Sequence, residues 1–172
     1  MKAMGSPICQ VRVFVSFDLG HDGDLKRKLL GEAAKSGSGF EVQGCSERAE
    51  MTADWSDGVR RRIAAADEVI VVCGEHTQDS PQVAAEIGIA QEEQKPYFLL
   101  WGRREAMCTK PVGARNDDGM YSWTTSILRD QIALTLRVAR SLDASKRFKK
   151  PRTDLLAPGQ SRTAAGGSGP GA

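Results

Sequence analysis

Short apolar runs alternate along the chain with longer segments in which apolar residues recur every three or four positions. Two of the runs, Glu68–Cys73 and Pro96–Trp101, are almost continuously apolar, as parallel strands buried on both faces should be. The segment Phe40–Cys45 instead alternates apolar and polar positions. The pattern predicts strands at Val11–Phe17, Phe40–Cys45, Glu68–Cys73 and Pro96–Trp101, with a short fifth strand around Gly119–Trp123.

The segments between the strands carry signals for helix starts and ends. Gly37-Ser38-Gly39 breaks the first helical segment, and Ser80 followed by Pro81 combines an N-cap with a proline at the first helical position. In the last segment, Leu128 and Ile132 begin a series of apolar residues at helical spacing. The predicted helices are Asp24–Lys35, a second capped by Asp54 or Ser56 and running to about Ala66, a third that follows the N-cap Ser80 and ends near Gln94, and a last one over about Thr124–Leu142.

Strands that alternate with helices form parallel sheets through right-handed crossovers. This order predicts an α/β protein with a flavodoxin-like three-layer fold, in which helices cover both faces of a parallel sheet of four to five strands. A chain of 172 residues is long enough for one such domain and has little room for a second. We assign the domain to residues 11–144, after an N-terminal extension at residues 1–10.

Charge is distributed unevenly between this domain and the C-terminal segment. The net charge is only +2, but six basic residues and one acidic residue follow Ser145. Residues 1–144 are therefore mildly acidic, and the pI of about 8.4 does not predict nucleic-acid binding. Residues 145–172, which end in a Gly-rich stretch without core-forming residues, are predicted to be a basic, disordered tail. The long polar loop Gly102–Asp118 is a candidate lid or interaction segment.

Cysteine and histidine spacing argues against a structural metal centre. Cys9, Cys45, Cys73 and Cys108 are far apart and form no Cys-x-x-Cys pair. We therefore expect free thiols and no metal site. The N-terminus has no long apolar signal-peptide core, and no apolar stretch is long enough to span a bilayer. Together with free thiols, which fit a reducing compartment, this predicts a cytoplasmic protein without a membrane span.

The edge of the sheet where ligands are expected lacks the motifs of several common nucleotide sites. Ligands of open parallel sheets bind beyond the carboxyl ends of the strands. No Gly-x-Gly-x-x-Gly follows the first strand, and no Gly-x-x-x-x-Gly-Lys-Ser/Thr occurs, so neither a Rossmann site nor a P-loop is predicted. The third strand ends in Cys73-Gly74-Glu75, without the Asp of a phosphoacceptor domain. The segments at this edge are Ser16–Gly23, Cys45–Asp54, Gly74–Ser80 and the residues from Gly102 onward.

Glu86 is the chemically most informative residue of the third helix. Val83, Ile87 and Ala90 recur on one face of this helix, which we expect to be buried. Glu86 lies at the margin of that face and in the first half of the helix, so its carboxylate can lean over the strand ends. A solvent-exposed carboxylate near the positive end of a helix is the alternative interpretation.

Five short segments along the chain form a recognisable set: Val13-Phe14-Val15-Ser16-Phe17, Asp67-Glu68-Val69-Ile70-Val71-Val72, Ser80-Pro81-x-Val83-x-x-Glu86-Ile87-x-x-Ala90, Lys95-Pro96 and Trp101-Gly102. Their order and spacing are similar to those of the bacterial TIR-like family that includes the Thoeris antiphage sensor proteins, over roughly residues 11–142. The chain departs from this family at Gln82, where an aromatic residue is common, and at Asp18, where relatives often carry a histidine or an aromatic residue.

The resemblance implies cleavage of the nicotinamide–ribose bond of NAD in defence signalling, in some members with cyclisation of the remaining ADP-ribose. It places the family's catalytic glutamate on Glu86. Ser16, Phe17 and Asp18 are expected to line the substrate site, with His76 as a further candidate. NAD is then a substrate, and no retained cofactor is predicted. The resemblance also implies self-association and a defence effector protein as a candidate partner.

Two alternatives remain open at the level of sequence. The helix that carries Glu86 also resembles that of nucleoside 2-deoxyribosyltransferases, in which the glutamate is the nucleophile on C1′. Both enzymatic interpretations predict N-glycosidic chemistry at Glu86, and a single carboxylate suffices for NAD because nicotinamide leaves as a neutral molecule. A non-catalytic TIR-like interaction module, which recruits a partner through Gly102–Asp118 and the basic tail, predicts no chemical role for Glu86.

Overall fold

A five-stranded parallel sheet forms the centre of the protein. The computed structural model describes residues 10–149. The strands lie in the order β2-β1-β3-β4-β5, and every neighbouring pair is parallel. This is the strand order of a flavodoxin-like sheet, and it confirms the predicted fold class. The strands are β1 (Val11–Phe17), β2 (Phe40–Cys45), β3 (Glu68–Cys73), β4 (Tyr97–Trp101) and β5 (Met120–Ser122).

Helices cover both faces of the sheet. α1 and α4 pack on one face, and α2 and α3 pack on the other. Within the described residues, the connection from β4 to β5 contains no helix. No helix of residues 10–149 has the length and apolarity needed to cross a bilayer. The helices are α1 (Gly23–Ala33), α2 (Ala53–Ala65), α3 (Pro81–Glu92) and α4 (Thr125–Lys149), and a short 3-10 turn (Thr77–Asp79) precedes α3.

Alternation of side chains along β1 divides the core into two layers. Phe14 belongs to the layer beneath α2 and α3, whereas Val13, Val15 and Phe17 belong to the layer beneath α1 and α4. Every residue of β3 is buried, as the continuous apolar run predicts. The next residue after Phe14 to face α2 and α3 is therefore Ser16.

Two helix boundaries need a correction, whereas the others agree with the prediction to within two residues. α2 is capped by Thr52, whose hydroxyl accepts the backbone N–H of Trp55 at 3.3 Å, and not by Asp54 or Ser56. Asp54 instead occupies the first turn, where its charge is favourable to the helix dipole. α4 continues to Lys149 rather than ending at Leu142, because no glycine or proline interrupts the sequence there. The first residues of the predicted tail are thus helical; residues 1–9 and 150–172 lie outside the described residues.

An added methyl group should have opposite effects on stability at two glycines. A Cβ on Gly102, just after β4, would lie 2.7 Å from the carbonyl oxygen of Cys73, so Gly102→Ala should lower the free energy of unfolding by about 1–3 kcal/mol through overpacking. A Cβ on Gly88, within α3, would meet nothing within 4 Å. Gly88→Ala should raise the free energy of unfolding by about 0.5–1 kcal/mol, because alanine is favoured in helices.

Urea unfolding of the two variants beside the unaltered protein measures both effects. Gly88→Ala serves as the matched control, since it adds the same methyl group where space is open. A Gly102→Ala variant at least as stable as the unaltered protein would contradict the close approach of β3 and the residue after β4.

Candidate functional site

Glu86 lies on α3 with its side chain turned towards the ends of β1 and β2. The helix begins as predicted, because the Ser80 hydroxyl accepts the N–H of Val83 and Pro81 occupies the first turn. From this start, Glu86 falls on the second turn, between buried Val83 and buried Ile87. Its exposed fraction is 0%, so the carboxyl group is buried completely and does not lie at the margin of the buried face.

Three donors surround the carboxyl group of Glu86. Ser16 Oγ and Ser46 Oγ lie 2.5 and 2.6 Å from Oε2, and the side-chain amide of Gln82 donates to Oε1 at 3.0 Å. Ser46 Oγ also accepts the backbone N–H of Phe17 at 3.1 Å, which leaves the hydroxyl proton of Ser46 for Glu86. This set of donors fits an ionised carboxylate.

A β-bulge brings Ser46 to this group. The register of the β1–β2 pair shifts at Phe14, and Gln43 is the extra residue on β2. Because of this extra residue, the positions that follow it point to the opposite face of the sheet from the one that regular alternation would give. Gly44 therefore faces α2 and α3, where a Cβ on it would lie 3.1 Å from the ring of Phe14. Ser46 then faces α3 as well. Unbroken alternation along β2 would have placed Ser46 on the other face of the sheet, which explains why the sequence did not reveal it.

Burial and hydrogen bonding act on Glu86 in opposite directions. Burial is the larger effect and raises the pKa of Glu86 above its ordinary value, although the hydrogen bonds from Gln82, Ser16 and Ser46 and the charge of Arg62 lower it in part. A positive charge next to the carboxyl group would shift this balance towards the ionised form. A carboxylate in a water-excluded interior interacts strongly with a positive charge brought next to it. The arrangement can therefore stabilise a cationic centre, or provide a nucleophile at the strand ends.

Ser16 and Phe17 are neighbours in sequence, but the structure sends their side chains to opposite faces of the sheet. Ser16 contacts Glu86. The ring of Phe17 is 2% exposed and packs in the core layer beneath α1 and α4. Only the backbone N–H of Phe17 takes part in the Glu86 site, through its hydrogen bond to Ser46.

Asp18 and His76 belong to a separate group at the same edge of the sheet. Asp18, at the end of β1, lies 2.7 Å from Nδ1 of His21. The exposed ring of His76 contacts the ring of His21, with 4.2 Å between the ring centres and an angle of 35° between the ring planes. Within residues 10–149, neither Asp18 nor His76 hydrogen-bonds Glu86, so among the predicted site residues the structure joins only Ser16 directly to Glu86.

Arg103 anchors the segment that follows β4 to the loop that follows β1. Its guanidinium group lies 3.1 Å from Asp22 and 2.9 Å from Asp24. Burial raises the pKa of Asp22, and the hydrogen bond from Arg103 lowers the pKa of Asp24. The backbone N–H of Thr109 also donates to the carbonyl of Gly74 at 2.8 Å. The start of the long polar segment would have to break these contacts in order to act as a lid.

Among the described residues, the metal-ligating side chains are dispersed, and two of the three thiols are buried. In the part of the chain that the structure describes, no cluster of three or more histidine, cysteine, aspartate and glutamate side chains could hold a metal ion. Cys45, Cys73 and Cys108 are free thiols. Burial raises the pKa of Cys73, and this residue packs as an apolar side chain in β3.

Removal of the two serine hydroxyls should have unequal effects on stability. Ser16→Ala removes one donor to Glu86, whereas Ser46→Ala removes a donor to Glu86 and also the acceptor of the Phe17 N–H. An unpaired buried polar group costs about 1–3 kcal/mol, so Ser46→Ala should lower the free energy of unfolding by more than Ser16→Ala. Urea unfolding of both variants measures this difference, and equal losses would argue against the double role of Ser46.

Comparisons with known proteins identify the sequence family. The family model described as "Thoeris protein ThsB, TIR-like domain" matches residues 14–104, a little over half of the chain. No curated protein matches the chain. Among solved structures, a prokaryotic SEFIR domain is 17% identical with a TM-score of 0.45, covering 76% of this chain and 99% of that one. A 3-dehydroquinate dehydratase-like protein from Bifidobacterium longum is 16% identical with a TM-score of 0.38, covering 78% and 99%. The matched range 14–104 contains Ser16, Ser46 and Glu86.

Proposed function

The chain belongs to the Thoeris ThsB TIR-like domain family, and on that basis we propose that it cleaves the nicotinamide–ribose bond of NAD, with Glu86 as the catalytic residue. The observation that carries this proposal is the Glu86 carboxyl group, held by three hydrogen-bond donors beside the ends of β1 and β2. Ligands of open parallel sheets bind at this edge. The family also supports a role for the reaction in bacterial defence signalling.

The proposed reaction needs one well-placed carboxylate and no general acid. When the C1′–N bond breaks, its electron pair stays on the nicotinamide nitrogen, and nicotinamide leaves as a neutral molecule. C1′ becomes oxocarbenium-like, and the Glu86 carboxylate stabilises this positive charge. Water then adds to C1′ and loses a proton to give ADP-ribose, or a nucleophilic atom of the same molecule adds and closes a ring. Hydrolysis of a sugar ether, in contrast, uses two carboxyl groups.

Access of a substrate to Glu86 requires movement of Gln82. Glu86 is completely buried, and the half-buried side chain of Gln82, one turn earlier on α3, covers Oε1. Rotation of the Gln82 amide would free Oε1, while Ser16 and Ser46 keep Oε2 in place. The positive charge of the nicotinamide ring would then favour the ionised form of Glu86 and lower its pKa.

A non-catalytic interaction module is the second candidate, and exposed apolar side chains away from Glu86 favour it. Met107 and Val112, in the segment between β4 and β5, are 76% and 64% exposed. Exposed apolar residues of this kind can contact a partner protein or a second copy of the chain. In this alternative, the hydrogen bonds of Glu86 serve only to join α3 to β1 and β2.

Product analysis with two types of substrate separates the candidates. The full chain is incubated at high concentration with NAD and, separately, with a deoxynucleoside and a second free base, and the products are resolved by chromatography. We expect nicotinamide together with linear or cyclic ADP-ribose, and no base exchange. Base exchange without loss of NAD would instead support a 2-deoxyribosyltransferase-like enzyme. No reaction with either, also under crowding that promotes self-association, would favour the interaction module.

A further inference from the structure

A cavity lies at the carboxyl edge of the sheet, beyond β4 and β5. Its volume is about 680 Å³, within the range of about 300–1,000 Å³ that is typical of small-ligand pockets. In the sheet order, β4 is two strands away from β1, or about 10 Å at the usual strand spacing, so the cavity is distinct from the Glu86 site. We call it the tryptophan pocket. Its main lining residues are Lys28, Trp101, Arg104, Ser122, Trp123 and Thr124.

Two basic side chains of the tryptophan pocket are not engaged in ion pairs within the described part of the chain. Among the described residues, neither Lys28 nor Arg104 forms an ion pair. The ammonium group of Lys28 lies 4.0 Å from the centre of the Trp123 ring, a cation–π contact that holds the charge at the pocket. Arg103, in contrast, is already paired with two aspartates. The nearby Glu32 is paired with Lys35 and accepts a hydrogen bond from Thr125, and Lys28 acts on it only as a neighbouring charge. The two basic groups of the pocket therefore remain available for an anionic ligand.

The start of α4 adds backbone donors to the same pocket. The Thr124 hydroxyl accepts the N–H of Ile127 at 3.1 Å, and its carbonyl accepts the N–H of Leu128 at 2.9 Å, so Thr124 is the N-cap of this 25-residue helix. The N-terminus of a helix carries a partial positive charge and unpaired N–H groups, both of which suit a phosphate. The charge of the side chains and that of the helix therefore have the same sign at this place.

The two tryptophans supply an aromatic surface beside these positive charges. The indole N–H of Trp101 donates to the carbonyl of Arg103 at 2.6 Å, which fixes the orientation of this ring. The indole N–H of Trp123 is buried without an acceptor among residues 10–149. Aromatic side chains bind planar rings by stacking, and they do so with little preference among nucleobases.

We propose that the tryptophan pocket binds a phosphorylated nucleoside. The phosphate contacts Lys28, Arg104 and the start of α4, and the base packs against the tryptophans. A free nucleoside monophosphate and the adenylate half of NAD both carry this chemistry. The proposal does not depend on catalysis at Glu86, because none of the residues that form the pocket contacts that side chain.

Calorimetric titration of the full chain with AMP tests the proposal. Adenosine, which lacks the phosphate, and ribose 5-phosphate, which lacks the base, measure the contribution of each part of AMP. AMP should bind more tightly than either probe. Lys28→Gln and Arg104→Gln should each weaken AMP binding by about tenfold or more, as expected for loss of a charged hydrogen bond. Arg27→Gln is the matched control, since it removes the same type of charge from an exposed neighbour of Lys28 on α1 that does not line the pocket.

Three results would overturn the proposal: no detectable binding of AMP, an equal loss in Arg27→Gln and the two pocket variants, or a comparable loss in Glu86→Gln. Thermal unfolding verifies that each variant is folded.

Titration of the Glu86→Gln protein with NAD then distinguishes the two sources of the ligand. If Lys28→Gln and Arg104→Gln also weaken NAD binding, the pocket holds the adenylate half of NAD. If they weaken AMP binding alone, it holds a separate mononucleotide, and either result upholds the pocket.

Discussion

Replacement of Glu68 with methionine should stabilise the protein strongly at pH 8 and only weakly at pH 5. Glu68 begins β3 and is 0% exposed. Neither carboxyl oxygen has a well-formed hydrogen bond among the described residues. Burial raises the pKa of Glu68 to about 9, with a smaller contribution in the same direction from the charge of Asp67 and an opposing one from the Thr135 hydroxyl. The folded protein therefore keeps Glu68 protonated at neutral pH.

The sign of the pH dependence follows from this proton. Above the ordinary pKa of 4.5, the unfolded chain releases a proton that the folded protein retains up to about pH 9. The contribution of Glu68 to stability therefore falls as pH rises, by up to about 1.4 kcal/mol per pH unit, or as much as about 4 kcal/mol between pH 5 and pH 8. Methionine is similar in volume to glutamate and carries no ionisable group, so it removes this loss.

Urea unfolding of Glu68→Met and the unaltered protein at a series of pH values measures the effect. Glu41→Met is a suitable control, because Glu41 is an exposed carboxylate on β2. We expect the difference in stability between Glu68→Met and the unaltered protein to grow with pH, and the Glu41 variant to show no such trend. A gain for Glu68→Met that is the same at pH 5 and pH 8 would argue against a buried proton at Glu68.

Replacement of Glu86 with glutamine should lower kcat for nicotinamide release by about 10²–10³-fold, the usual effect of removing one group that stabilises transition-state charge. Glutamine preserves the size of the side chain but has no negative charge to oppose the charge at C1′. The fold should persist, because the substitution also removes the cost of burying an ionisable group. The matched control is Glu92→Gln on the same helix, where the side chain is 63% exposed and contacts Arg60.

Steady-state kinetics of the two variants should separate a catalytic role from a structural one. Loss of an interaction that is made only in the transition state lowers kcat and kcat/KM together and leaves KM nearly constant. We expect this pattern for Glu86→Gln and unchanged kinetics for Glu92→Gln. Equal losses in both variants, or a Glu86→Gln protein with full activity, would show that the charge of Glu86 is not used in the reaction.

The fold could be predicted from the sequence because local signals agreed with one another. The continuous apolar run of Glu68–Cys73 predicted a fully buried central strand, and Ser80 with Pro81 fixed the start of α3 and so the position of Glu86 on it. Helix ends were less accurate. The cap at Thr52 competes with several other capping residues nearby, and nothing in the sequence stops α4 at Leu142.

The surroundings of Glu86 could be predicted only in part. Alternation along β1 already separates Ser16 from Phe17, and this signal was sufficient to place the two side chains on opposite faces. Ser46 could not be placed in this way, because the extra residue Gln43 in β2 decides which face of the sheet its side chain points to. The adjacent Gly44 is the one local sign of such a bulge, and a glycine in a strand is not a reliable one. The tryptophan pocket was also hidden, since the sheet order brings together residues that are distant along the chain.

Nicotinamide release from NAD tests most directly whether the Glu86 carboxyl group acts on an N-glycosidic bond. The release is followed over time at several concentrations of the full chain, beside Glu86→Gln at the same concentrations. We predict sustained release by the unaltered protein and at most about 1% of that rate in the variant. Equal release by both proteins, or none from the unaltered protein at any concentration, would contradict catalysis of this cleavage by Glu86.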